Sequence, residues 1–281
     1  MRRSVLLAAA AAVCCLAALP ALADQWSKVY KVTGRPDLRV ETNDASIEVS
    51  SSDASEVTAR VVYTGYSADD VRVQESQTGN RIEIEVRLPS MRWSWGDSHR
   101  SVRIELVVPR QTNLDLHSSD GHIHASGVSG QIKIESSDGH LEATDLKGSI
   151  RLHTSDGHIE ASGLDGSLDA STQDGRVHVR GRFDDLRMQT GDGSLSAEVL
   201  PGSKMSGNWS LTTSDGSISV RLPDGFAADI NAHTGDGNIS SQLPLLVSGV
   251  LGRSDLRGKL GGGGPTLQIR TGDGSIRLDR L

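Results

Sequence analysis

Residues 114–197 read LDLHSSDGHIHASGVSGQ (114–131), IKIESSDGHLEATDLKGS (132–149), IRLHTSDGHIEASGLDGS (150–167), LDASTQDGRVHVRGRFDD (168–185) and LRMQTGDGSLSA (186–197). An 18-residue pattern recurs without insertion or deletion, its fifth copy running to Ala197. Leu114, Ile132, Ile150, Leu168 and Leu186 share one row, and Leu116, Ile134, Leu152, Ala170 and Met188 the row two residues on. Ile123, Leu141, Ile159, Val177 and Leu195 form a third row; Ala125, Ala143, Ala161, Val179 and Ala197 form a fourth. Self-similarity at a fixed short period marks a solenoid or array, in which each unit buries its apolar face only against its neighbours.

The period halves again. Gly121, Gly130, Gly139, Gly148, Gly157, Gly166 and Gly175 stand nine residues apart, so each unit is two cycles of turn and short strand. Apolar residues alternate within each cycle, the period of two of a half-buried strand and unlike the 3.6 of a helix. Glycine supplies the positive φ of a tight turn, and an Asp or Ser before it bonds its own backbone. Such a chain is either an up-and-down meander or a coil with two strands per rung. A meander needs a cover for its apolar face, and no amphipathic helix in the sequence supplies one. The coil turns its two apolar faces toward each other. The expected fold is therefore all-β: a single-strand, β-helix-like β-solenoid with 18-residue rungs of two short strands, like residues stacking about 4.8 Å apart.

Outside the repeat, residues 1–23 read as a secretory signal. Arg2 and Arg3 precede an apolar run from Val5 to Ala18, followed by Pro20 and the small-residue site Ala21-Leu22-Ala23. The run is short for a transmembrane span, and no comparable run follows. The expected mature chain is exported, to the periplasm, the cell envelope or the medium. Cys14 and Cys15, the two cysteines of the chain, both lie in this leader, which leaves the remainder without thiol or disulfide chemistry. A lipoprotein reading of Cys15 is poor, since Ala12-Val13-Cys14 makes no convincing lipobox. The whole chain carries −7, and losing two arginines takes the mature chain to −9. That balance disfavours nucleic acid, whose binding requires Lys and Arg against phosphates. Aromatic residues are 3% against 31 glycines, a composition suited to a thin stacked core rather than a thick globular one.

Residues 24–112 read as an irregular N-terminal β cap with degenerate rungs, continuous with the repeat solenoid of residues 113–281. Within the cap, Leu38, Val40, Ile47 and Val49 fall into the four apolar rows, with Asp44-Ala45 in place of Asp-Gly. Stretches 57–63, 71–73, 81–88 and 102–108 alternate as strands do. Beyond Ala197 the Asp-Gly spacing loosens to 23, 21 and 37 residues. Leu243 to Pro265, containing Gly261 to Gly264, is expected as a mobile excursion before a last rung that closes the end.

The opening Val32-Thr33-Gly34-Arg35-Pro36-Asp37-Leu38, the segment Val108-Pro109 with Asn113-Leu114, the repeated Ser/Thr-Ser/Gly-Asp-Gly-x-Ile, and the closing Thr271-Gly272-Asp273-Gly274-Ser275-Ile276 carry a resemblance. Over nearly all of the mature chain, the sequence resembles the bacterial putative-adhesin family of unknown function, also called the toastrack domain. The resemblance implies a right-handed β-solenoid in an exported or envelope protein. It brings no catalytic residues to transfer.

Two columns offer chemistry. Asp120, Asp138, Asp156, Asp174 and Asp192 would stack along one turn edge, where hard cations such as calcium take carboxylate oxygens. Neighbouring carboxylates repel in water by only about 1 kcal/mol, which a turn hydrogen bond offsets, so a structural turn role suffices to account for them. His122, His140 and His158, of opposite parity to Ile123, Leu141 and Ile159, would face outward as a transition-metal or acid-responsive column, or as a solvated polar one. With Ser, Asp and His recurring in every rung, chance triads are expected and carry no weight. A third candidate is Arg92, Trp93 and Trp95, an aromatic pair in a loop that could hold a sugar or a protein partner, or pack over the solenoid end.

The sequence thus points to a non-enzymatic envelope β-solenoid acting as an adhesin, scaffold or binding module. It calls for no cofactor, and an unidentified envelope protein or surface glycan would be the partner. A calcium-stabilised surface protein is the alternative, and a polysaccharide-active β-helix enzyme the next.

Overall fold

The computed structural model describes residues 24–89, 100–247 and 252–281, and among these every regular element is a β-strand. The first seven are β1 (Asp24–Lys31), β2 (Asp37–Thr42), β3 (Ser46–Ser52), β4 (Glu56–Thr64), β5 (Arg72–Thr78), β6 (Arg81–Arg87) and β7 (Ser101–Pro109). The regular repeat comprises β8 (Asn113–Ser118), β9 (Ile123–Ser126), β10 (Ser129–Ser136), β11 (Leu141–Thr144), β12 (Lys147–His153), β13 (Ile159–Ser171), β14 (Val177–Asp192) and β15 (Leu195–Val199). There follow β16 (Trp209–Asp215), β17 (Ile218–Leu222), β18 (Ala228–Asp236), β19 (Ile239–Ser241), β20 (Leu245–Val247), β21 (Asp255–Leu260), β22 (Thr266–Asp273) and β23 (Ile276–Arg280).

Pairing decides between the meander and the coil. Ile132 is in parallel register with Leu114 on one side and Ile150 on the other, and Leu141 with Ile123 and Ile159. Each residue therefore neighbours its counterparts 18 positions away, and the chain is a coil of two-stranded rungs. One face carries β8, β10, β12 and the second halves of β13 and β14; the other carries β9, β11, the first halves of β13 and β14, and β15. The four apolar rows meet between the faces, in one buried cluster that extends from Tyr30 to Leu278. Burying a side chain such as Ile134 there stabilises by about 2–3 kcal/mol.

A fifth buried row was not anticipated. Val128, Leu146 and Leu164 fill the narrow side of the rung, at the second turn. In the next rung a register shift lets Phe183 take that side, where it meets Trp209 edge-on with centroids 6.4 Å apart; Trp209 in turn contacts Phe226. These buried aromatics pack together where the regular spacing ends.

Both ends depart from sequence order. At the first, β2 pairs with β8 and β3 with β9, so Leu38, Val40, Ile47 and Val49 join the apolar rows as expected. Outboard of them lie β6 and β7, in parallel, and then the antiparallel strands β5, β4 and β1. At the far end, β22 and β23 are inserted between β16/β17 and β18/β19. The last rung in sequence therefore lies inside the stack rather than closing it, because strands 18 and 19 leave an edge free for it on the way past. The expected excursion at 243–265 holds β20 and β21, which continue the sheet beyond β18 in antiparallel fashion.

Candidate functional site

The Asp-Gly turns stack on one another, and the stacking explains the glycine. A Cβ on Gly157 would lie 2.1 Å from the Gly139 carbonyl oxygen of the rung beneath, an overlap no side chain tolerates. Positive φ is not the requirement at that turn. It belongs instead to the second turn, where Gly148 has φ of 113°.

The residue that bonds the turn is not the aspartate either. Three positions before each glycine stands a hydroxyl: Ser118, Ser136, Thr154, Thr172 and Thr190, all buried. Thr154 accepts from the Gly157 N–H at 3.2 Å and donates to the carbonyls of Ser137 and Gly139 in the preceding rung, at 3.0 and 3.2 Å. Thr172 and Thr190 repeat the inter-rung donation. Thr213, Thr271 and Thr234 extend it beyond the regular repeat. A continuous hydroxyl column thus ties turn to turn inside the protein.

The aspartates are exposed. The carboxylates of Asp138, Asp156, Asp174 and Asp192 make no hydrogen bond or ion pair with other described residues. Asp120 differs, since it lies against Asp44 of the irregular first rung. Partial burial, with the Asp120 carboxyl alongside, pushes Asp44 above the usual carboxylate range. Among the described residues no three His, Cys, Asp or Glu side chains gather into a metal-holding group.

His122, His140 and His158 do stack, with centroids 5.0 Å apart in both steps. Each Nδ1 accepts a backbone N–H from the rung above, that of His140, His158 and Arg176 in turn, at 3.2–3.3 Å. A backbone N–H can only donate, so the proton of each neutral ring sits on Nε2. The column consequently turns three N–H donors outward, whereas a metal held at Nε2 requires a lone pair there. His124 pairs with Glu142 at 3.2 Å across the groove of about 330 Å³ that flanks the column.

Chance constellations are present, as expected. His153 Nδ1 lies 2.9 Å from Ser171 Oγ with no carboxylate on the ring, and Asp255 sits between His233 and Ser254, an order that leaves no hydroxyl for the imidazole to activate. Arg92, Trp93 and Trp95 lie outside the described residues.

An unanticipated feature lies on the outward side of the β8–β10–β12 face. One row there reads Glu83, Arg39, Asp115, Lys133, Arg151, Asp169 and Arg187 across successive rungs. Opposite charges alternate, and Arg39–Asp115, Lys133–Asp115 and Arg151–Asp169 pair at 3.8–3.9 Å. The alternation fails at one step, where Lys133 and Arg151 are direct register neighbours. That step lies in an open groove of about 520 Å³, lined also by Arg81, Asn113, Gln131 and Ser149.

Residues 36–279 match the model of the family described as Toastrack DUF4097. The chain belongs to that family. Two solved structures are similar to it. A "putative cell adhesion protein" from Clostridium sporogenes is 13% identical, spanning 92% of this chain and 99% of its own, with a TM-score of 0.35. A "putative adhesin" from Bacteroides fragilis is 10% identical, spanning 91% and 97%, with a TM-score of 0.42. No curated protein matches the chain. The toastrack match takes in the turn stack, the histidine column and the charged groove alike. No helix among the described residues is long and apolar enough to cross a membrane.

Proposed function

We propose that the chain is an exported, non-enzymatic module of the cell envelope that binds its partner with the outward faces of the solenoid, as an adhesin or scaffold. The leader-like residues 1–23 support export, and the toastrack family supports a repeat scaffold. The observation that carries the reading is the charged groove on the β8–β10–β12 face. It is open, crosses five strands, and holds polar side chains that serve no neighbour: neither the Gln131 amide nor the Ser149 hydroxyl bonds to another described residue. Surface donors held on a rigid sheet suit recognition of a hydroxyl-rich or peptide surface, with little ordering cost on binding.

The test is retention. Residues 24–281, immobilised, are presented to arrayed surface glycans and to fractionated envelope proteins. Saturable retention of a ligand that is recovered unchanged is the expected result. Release of reducing ends or unsaturated sugars would establish catalysis and overturn the non-enzymatic reading.

A further inference from the structure

The charge ladder breaks at one step, between Lys133 and Arg151. Like charges directly opposite on neighbouring strands are unfavourable, and everywhere else in this row the protein places an acid between its cations. Lys133 and Arg151 stand side by side within the groove, one rung apart. Lys133 bonds Glu135 of its own strand at 2.8 Å and reaches Asp115 at 3.9 Å on the side away from Arg151, while Arg151 leans on Asp169 at 3.8 Å on the side away from Lys133. What is missing is an anion between them. Flanking that gap, Gln131 and Ser149 present a side-chain amide and a hydroxyl without partners among the described residues.

We propose that Lys133 and Arg151, with Gln131 and Ser149 beside them, seat an anionic group of an acidic polysaccharide lying along the solenoid axis. This deepens the binding-module reading above, on which it rests, by naming the ligand class. The groove runs across rungs spaced about 4.8 Å apart and so follows the axis. A carboxylate or sulfate between the two cations gains charge-assisted hydrogen bonds, and the Arg151 guanidinium can meet it with two N–H groups. Further along the groove, Asp115 and Asp37 are acceptors that suit sugar hydroxyls and repel a second anionic group placed there. The site therefore fits a chain whose charges are interspersed with hydroxyls. A bare polyanion such as nucleic acid would meet those carboxylates with its next phosphate.

Binding of a polygalacturonate oligomer to residues 24–281 would be measured by calorimetry at low and at moderate salt. Comparison ligands are a sulfated polysaccharide, the methyl-esterified form of the same oligomer, free sulfate and a single-stranded oligonucleotide. The expected result is salt-sensitive binding of the carboxylated or the sulfated chain, either of which supports the seat, with their ratio identifying the anionic group. Lys133→Gln and Arg151→Gln should each weaken it about tenfold, whereas Arg187→Gln, in the same row outside the groove, should change it less than about twofold. Thermal melts establish that each variant is folded. Equal binding of the methyl ester, of free sulfate or of the oligonucleotide would overturn the assignment, as would unchanged affinity in folded Lys133→Gln and Arg151→Gln. If no acidic polysaccharide binds the unaltered chain, this assignment fails while the broader reading stands or falls on the array.

Discussion

Thr154 is fully buried, yet its hydroxyl makes three hydrogen bonds that join two rungs. Thr154→Val keeps the shape and strands a glycine N–H and the carbonyls below it, so it should cost about 2 kcal/mol in chemical denaturation. The neighbouring Asp156→Asn should fall within about 0.5 kcal/mol of the unaltered chain, because the exposed carboxylate bonds no other described residue. A larger effect at Asp156 than at Thr154 would reverse the assignment of roles. Asp44 gives a pH signature. Its folded-state value is raised by burial and by Asp120, so its ionised form is disfavoured in the folded protein, and stability is lost as pH rises through that raised value. Asp44→Asn should therefore be the more stable protein at neutral pH, by a few tenths of a kcal/mol given the solvent exposure of the pair. The advantage should vanish as pH falls below the ordinary aspartate range, and urea titrations of both proteins at the two pH values measure it. The hydroxyl column was legible in principle. Ser118 has the parity of Leu114 and Leu116, which marks it as inward-facing, yet apolar rows alone do not single out a hydroxyl in line with them. The histidines, of opposite parity, were placed outward for the same reason. Their use of Nδ1 depends on ring orientation and could not be read from spacing.

At the scale of elements, a perfect repeat specifies its own neighbours: a residue 18 positions away in sequence is the adjacent residue in the sheet. Four apolar rows followed from that period, and the two-stranded rung from the period together with the lack of a helix to cover a meander. Where the period breaks, sequence order no longer says which edge a strand will join. Strands β22 and β23 illustrate this, since their alternation identified them as a rung while their insertion between β16/β17 and β18/β19 depends on an edge left open earlier in the chain. Cys14 and Cys15 are the two cysteines of the chain, so residues 24–281 permit a direct cross-linking test. Ser210→Cys with Gln268→Cys places two outward thiols on register neighbours, and a short thiol-reactive cross-linker should join them. Ser210→Cys with Asn231→Cys should stay unjoined, because β22 lies between them. Efficient joining of the second pair alone would mean that the rungs stack in sequence order.

For the whole molecule, the same geometry that stitches the rungs leaves two long outward faces, and function has to be sought there. The Asp and His columns, the most conspicuous chemistry in the sequence, arise because the coil sets like residues of successive rungs beside one another. Their geometry offers exposed carboxylates without convergence and imidazoles that present N–H outward. The groove escaped a reading by motif because Arg39 and Arg81 reach it from rungs remote in sequence from Lys133 and Arg151. The claim that the hydroxyl column ties the turns together, with no cation on the Asp or His columns, is tested most directly by thermal unfolding of residues 24–281 with EDTA, with calcium and with zinc. A cation bound only to the folded state, at about 100 times its dissociation constant, would add about 2.7 kcal/mol. The account predicts superimposable curves in all three conditions, and a rise of that size with either metal would contradict it.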